Sequence, residues 1–209
     1  MKTVTRLLVA SILIILPALT AASNYQGAVF VGTNHNNTNT DFTENEPANQ
    51  VVMYNRDRNG KLYLVDRFET GGQGSGPAQR FAGDGLGSSR SIILSENNRW
   101  LYVTNAGSDT LSMFQVRKDG LRLRDVVPTG DGSPNERFPN SITNHRNLVY
   151  VLNSAGNGSI TGFRRQGKRL SPIENSTRAL DANQARFAPD PLFNPTQVTF
   201  TPDGSKLVV

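Results

Sequence analysis

Two histidines, no cysteine and a few arginines set among Gly, Ser and Asn are what this chain offers for chemistry. His35 stands in the Asn- and Thr-rich stretch 34–49, where an imidazole could carry a proton near neutral pH. The run Gly83-Asp84-Gly85-Leu86-Gly87-Ser88-Ser89-Arg90 combines backbone freedom with a guanidinium. Glycines let backbone N–H groups turn toward an anion, and Arg90 offers a bidentate fork for a carboxylate. Ser89, Asn105, Ser108, Arg137 and Asn140 complete the candidate substrate-binding set, with Arg80 and Arg186 as additions to a cationic rim. Each has a plainer reading: a flexible linker with a solvated arginine, or an Asn that caps its own turn. His145, in Asn144-His145-Arg146-Asn147, reads as a turn residue. Without cysteine there is no thiolate nucleophile, disulfide or Cys-ligated metal. A single imidazole on the candidate face makes no ligand cluster, so neither a metal nor a cofactor is expected.

Those residues need a scaffold, and internal repetition supplies it. Leu101-Tyr102-Val103-Thr104-Asn105 matches Val149-Tyr150-Val151-Leu152-Asn153, with a fainter copy at Val29-Phe30-Val31-Gly32-Thr33. Each is followed by a second strand-like run, around Met53-Tyr54, Met113-Phe114 and Gly162-Phe163. Then come polar turns at Asn59-Gly60, Asp119-Gly120 and Gly167-Lys168, and a last short strand. Leading strands appear at Ser91-Ile92-Ile93-Leu94 and Gln197-Val198-Thr199-Phe200. Phe114 and Phe163 lie 49 residues apart, and Tyr102 and Tyr150 lie 48 apart. Repeats of this length, built of short strands between Gly/Asn/Asp turns, predict an all-β propeller of four-stranded antiparallel blades. Apolar residues on both faces of Leu111-Ser112-Met113-Phe114 predict strands packed between two neighbours. Val103, Leu111, Met113, Phe114, Val151, Ile160 and Phe163 are the expected core.

Four-stranded blades put their connections alternately on two faces. The loop leading into a blade and the loop between its second and third strands share one face, which holds Arg90, Asn105 and His35. The first-to-second turns share the other, which holds His145.

The unit from Ser95 to Val116, with Phe200-Thr201-Pro202-Asp203-Gly204-Ser205-Lys206-Leu207, resembles the lactonase-type seven-bladed propellers with the Tyr-Val-Thr-Asn repeat. That family includes the propeller 6-phosphogluconolactonases and 3-carboxymuconate cyclase-like proteins. The resemblance covers about residues 27–209 and implies metal-free opening or closing of a small carboxylated lactone. It also implies a Pro-His at the start of a blade's first strand, where this chain has Pro139-Asn140 and Pro195-Thr196. A non-enzymatic extracellular propeller that binds a ligand, glycan or protein partner is the alternative. Aligning 197–209 on 91–103 sets Val208 on Tyr102. The sequence is therefore expected to be a truncated N-terminal part, about three and a half of seven blades, prone to aggregate alone.

Residues 1–22 read as a secretory signal peptide. Lys2 and Arg6 precede an apolar run over 7–19, and small residues follow at Thr20, Ala21, Ala22 and Ser23. The run, about 13 residues, is too short to span a bilayer, so a secreted protein with no membrane attachment after cleavage is expected, its propeller over 23–209. Asn36, Asn157 and Asn175 head sequons suited to glycosylation. The formal charge of +5 is scattered singly among acids, without the clustered basic footprint that nucleic-acid binding requires.

Overall fold

The computed structural model describes residues 25–37, 47–76, 85–133, 136–180 and 195–209. The expected signal peptide, Gly83, Asp84, Arg80 and Arg186 lie outside the described residues. The strands form antiparallel sheets in chain order, with no helix among the described residues. Blade one holds β1 (Tyr25–Gly32), β2 (Gln50–Asp57) and β3 (Leu62–Glu69). Blade two holds β4 (Ile92–Leu94), β5 (Trp100–Asn105), β6 (Thr110–Arg117) and β7 (Gly120–Pro128). Blade three holds β8 (Pro139–His145), β9 (Leu148–Asn153), β10 (Ser159–Gln166) and β11 (Arg169–Pro172), with β12 (Arg178–Ala179) also on β10. Blade four contributes β13 (Thr199–Phe200) and β14 (Leu207–Val208).

The repeat sets the register. Tyr102 pairs with Met113 in blade two, Tyr150 with Gly162 in blade three, and Phe30 with Met53 in blade one. Blades one and two both carry a bulge on the third-to-fourth pairing, at Met53/Tyr54 and Met113/Phe114. Blade three breaks its outer strand at the equivalent place, and residues 173–177 loop out between β11 and β12. The Ser176 hydroxyl fills the gap, accepting from Gly162 N at 3.0 Å and donating to Gly162 O at 3.2 Å. Asn175 sits exposed on that excursion, with φ 56°.

Apolar burial holds the blades face to face. Between blades one and two lie Val51, Leu101, Val103, Phe114 and Leu121, packed by Phe30, Phe68 and Val116. Between blades two and three lie Trp100, Tyr102, Leu111, Met113, Val149, Val151 and Phe163. Each large side chain buried there contributes roughly 1.5–3 kcal/mol. Six of the seven expected core residues are buried. Ile160 is half-buried, on the face of β10 opposite Phe163, which packs toward blade two.

Apolar contact has no direction, and buried amides supply one. Asn105, fully buried at the end of β5, donates to Thr110 Oγ1 at 3.0 Å and to Ser112 Oγ at 2.7 Å. Its Oδ1 accepts from Asn49 Nδ2 of blade one at 2.9 Å, and Ser112 Oγ donates back across the interface to Thr70 O at 2.7 Å. Asn153 repeats the arrangement one blade on, donating to Thr129 O of blade two at 3.1 Å and to Ser159 Oγ at 3.3 Å. Gly72 is required here, since a Cβ would stand 2.6 Å from the Asn105 amide.

Removing such an amide leaves buried partners unsatisfied. Asn105→Ala is expected to lower unfolding free energy by about 2–4 kcal/mol, measured by urea unfolding. Exposed Asn59→Ala should stay within about 0.5 kcal/mol. Equal effects of the two would reject the clasp.

Candidate functional site

The first strands of blades two, three and four, β4, β8 and β13, lie side by side, each tied to the next. Ile142 N donates to Arg90 O at 3.0 Å, and Ser141 Oγ donates to Ser89 O at 2.7 Å. Val198 N donates to Ser141 Oγ at 3.1 Å, and Ser89 N reaches Thr196 O at 2.9 Å. These bonds fix Ser89 and Arg90 at the entry to β4, where both are exposed. Arg90 has φ 71°, a left-handed conformation that costs a side chain-bearing residue roughly 1–2 kcal/mol. Its guanidinium donates to Thr199 Oγ1 at 3.1 Å, a neutral partner that leaves the charge uncompensated.

Asn140, the structural equivalent of Arg90 in blade three, is buried. Its amide reaches Gly87 O at 3.4 Å and Pro195 O at 3.2 Å. It therefore positions the segments around Arg90. Arg137 is held by Asp109, Nε to Oδ2 at 2.9 Å, while Asp109 Oδ1 accepts Phe138 N at 2.8 Å. That pair spans blades two and three and offsets the Arg137 charge. Ser108 Oγ accepts Gln73 N at 2.9 Å. Asn105 belongs to the clasp, its amide engaged and enclosed.

The segment 72–76 ties these loops together. Gly107 N donates to Gln73 O at 2.9 Å, and Ser75 Oγ donates to Gly85 O at 2.6 Å. Gly74 N donates to His35 O at 2.7 Å. His35 thus shares the face of segment 85–90 and the 105–110 turn, and its Nδ1 is buried without a hydrogen-bond partner. His145 lies at the other end of the blades. Its Nδ1 is 3.2 Å from Glu96 in blade two's first turn, and its ring packs against Gly204 in blade four's. A Cβ at Gly204, φ 71°, would collide with that ring. Among the described residues no group of three or more His, Asp or Glu could hold a metal ion.

Tyr102, a marker of the repeat, and Arg165 carry no local sequence signal of a site. Tyr102 is fully buried, and its hydroxyl has no hydrogen-bond partner. Arg165, across the interface in β10, lies with its guanidinium carbon 5.0 Å from the Trp100 ring centroid. Burial pushes the Tyr102 phenol up to about 12, with Arg165 opposing the shift.

The profile of the lactonase, seven-bladed β-propeller family matches residues 32–184. An uncharacterized Staphylococcus epidermidis protein is 29% identical over 76 residues, covering 35% of this chain and 21% of that protein. A functionally unknown protein from Desulfotomaculum acetoxidans superposes with TM-score 0.53 at 19% identity, over 76% of this chain and 43% of that one. A Bacteroides uniformis structure described as a "putative 6-phosphogluconolactonase" gives TM-score 0.50 at 11% identity, over 76% and 40%. The chain thus spans less than half the length of each of these three relatives, and the two structures show the shared fold alone.

A phenol with a raised folded-state pKa loses its proton first in the unfolded chain, near pH 10. Stability is therefore complete below about pH 10 and falls as pH rises toward about 12. Over that window Tyr102 accounts for a loss on the order of 2–3 kcal/mol. Tyr102→Phe should unfold with a flatter alkaline dependence than the parent, and parallel curves from pH 8 to 11.5 would remove this role.

Proposed function

The chain belongs to the lactonase, seven-bladed β-propeller family, and we propose that it binds a small carboxylated lactone at the axial mouth. The observation that carries this reading is Arg90: exposed, strained at φ 71° and bonded to a neutral hydroxyl. A strained backbone persists where its surroundings over-determine it, and such positions cluster at ligand sites. Arg90 holds the carboxylate of the ligand through paired N–H donors. The exposed Ser89 hydroxyl offers a further polar contact, while Asn140 and Thr199 position the loop. The reaction class is ring opening or closing: water adds across the acyl C–O bond, giving a carboxylate and an alcohol, or the reverse. His35, on the same face, is the candidate proton carrier.

Binding without turnover is the second reading. Its support is Asn140, which stands where the family resemblance implies a histidine and spends its amide on two backbone carbonyls. Fold membership alone does not choose between them.

Export is part of the proposal, supported by the charged, apolar and small-residue order of residues 2–23. The intact mass of the secreted protein, before and after endoglycosidase, reads both leader removal and sugar at Asn36, Asn157 and Asn175. An unprocessed, unshifted mass would count against it.

Calorimetric titration with a carboxylated γ-lactone tests the site. Arg90→Ala should weaken binding about 10- to 150-fold, the range for a charge-assisted hydrogen bond, while His145→Ala leaves it unchanged. Arg90→Gly should lose affinity equally yet melt higher than Arg90→Ala, because glycine relieves the left-handed strain. Proton release on adding the lactone would mark turnover, and binding alone the second reading. Weaker binding in His145→Ala but not in Arg90→Ala would move the site to the other face.

A further inference from the structure

The face opposite Arg90 opens between blades two and three into two adjoining cavities of about 330 and 610 Å3. Both are lined by Asn97, Trp100 and Arg165. The smaller also reaches Arg146, and the larger reaches Arg99 and Lys168. Four cations thus meet one cleft. Its lining carboxylate, Glu96, is already engaged by His145 Nδ1 at 3.2 Å and by Arg146 N at 3.2 Å.

The hydrogen-bonding capacity in this cleft exceeds what the protein satisfies. Arg165 Nη1 donates to Gly167 O at 3.3 Å, while its buried Nε and the buried Tyr102 hydroxyl have no well-formed hydrogen bond and only each other for company. Trp100 and Tyr102 are two residues apart on β5, so they share the face that meets blade three. Buried unpaired donors are uncommon in native structures and call for an explanation.

The repeat shows how far this interface departs from its neighbour. Strand register places Trp100 on Ala28, Tyr102 on Phe30, and Arg165 on Val116. Between blades one and two, therefore, the same location is apolar, with Phe30 and Val116 packed on the core. Between blades two and three it holds an indole, a phenol and a guanidinium. Arg146 has φ 55° in the turn after β8, a conformation that favours Asn or Gly. Apolar packing alone would be served by repeating the blade one to two pattern.

We propose that this cleft is a second binding site, separate from the Arg90 mouth, for a small multivalent oxyanion such as a tricarboxylate or a phosphate. The guanidinium of Arg165, fixed over Trp100, is the central contact. Arg146 and Lys168 receive further oxygens from opposite ends. Planar guanidinium forks suit carboxylate and phosphate equally, which is why the chemistry shared by the two defines the ligand class.

Trp100 is the one tryptophan of the chain, so its emission reads this cleft alone. The protein is titrated with citrate, with inorganic phosphate, and with sodium chloride at matched ionic strength. A saturable change with citrate or phosphate beyond that of chloride is expected, and the tighter of the two names the oxyanion. Arg165→Met should weaken the response about tenfold or more, whereas Arg90→Ala should leave it unaltered. If Arg165→Met fails to fold, Arg146→Gln combined with Lys168→Gln, both on the exposed rim, must weaken it comparably. A response no different from chloride, or one that survives loss of these cations, would overturn the site.

Discussion

Everything in this molecule depends on stacking flat sheets in one fixed register without a covalent staple. The chain has no cysteine, so burial between blades must supply the stability. Burial by itself leaves the sheets free to slide, because it is roughly proportional to area and has no direction. The amides of Asn105 and Asn153 remove that freedom. Each closes its own second-to-third strand turn, and polar contacts around it cross to the preceding blade. These polar groups are enclosed, so any sliding that separated them would leave donors without water or partner. Specificity of register thus comes from a few hydrogen bonds, and the bulk of the stability from apolar area.

The clasps lie at the strand ends that carry the second-to-third loops, with consequences for where ligands can bind. On that face, segment 72–76 is sewn to both the His35 loop and the 105–110 turn. The inner strands add their own bonds from Ser89 through Ser141 to Val198. A rigid rim is what permits Arg90 to be kept in a left-handed conformation against a cost of roughly 1–2 kcal/mol. On the other face the turns are short. At β13–β14 the Thr201 and Ser205 hydroxyls hold the Asp203 carboxyl down to about 2. Short turns leave the blade seam uncovered there, and the Trp100 and Arg165 cleft lies along it.

The fold was legible because it is written three times. A strand pattern alone is ambiguous, but Tyr102 and Tyr150 at equal positions in two copies fix the repeat, and the repeat fixes register. It also sorted the two faces correctly, with His145 beside Glu96 and His35 beside Gly74. Asn105 reads as an Asn that caps its own turn, which it does through Thr110 and Ser112. Its burial is the part no local pattern shows, because it comes from Asn49 and Gly72, which arrive from another blade. Arg137 stands among the candidate substrate-binding residues, and its pairing with Asp109, 28 residues away, is not visible in any local pattern. The break in blade three's outer strand was equally hidden, since Ser176 closes it by a side-chain contact that mimics a strand pair.

The cleft marks where repeat reasoning could have reached further. Trp100 and Arg165 are 65 residues apart, and nothing local connects them. Superposing the repeats does, because it turns each position into a comparison with its own equivalents. Where an exposed Ala28 and the packed Val116 stand in one seam, Trp100 and Arg165 stand in the next, and two apolar residues there would have met the same structural need. A guanidinium desolvated between two sheets costs more than a methyl group unless its donors are satisfied. The protein satisfies them incompletely, giving Nε no partner beyond the buried phenol beside it. In a fold assembled from near-identical units, departures from the repeat that raise this cost are the positions where chemistry, more than architecture, accounts for the residue.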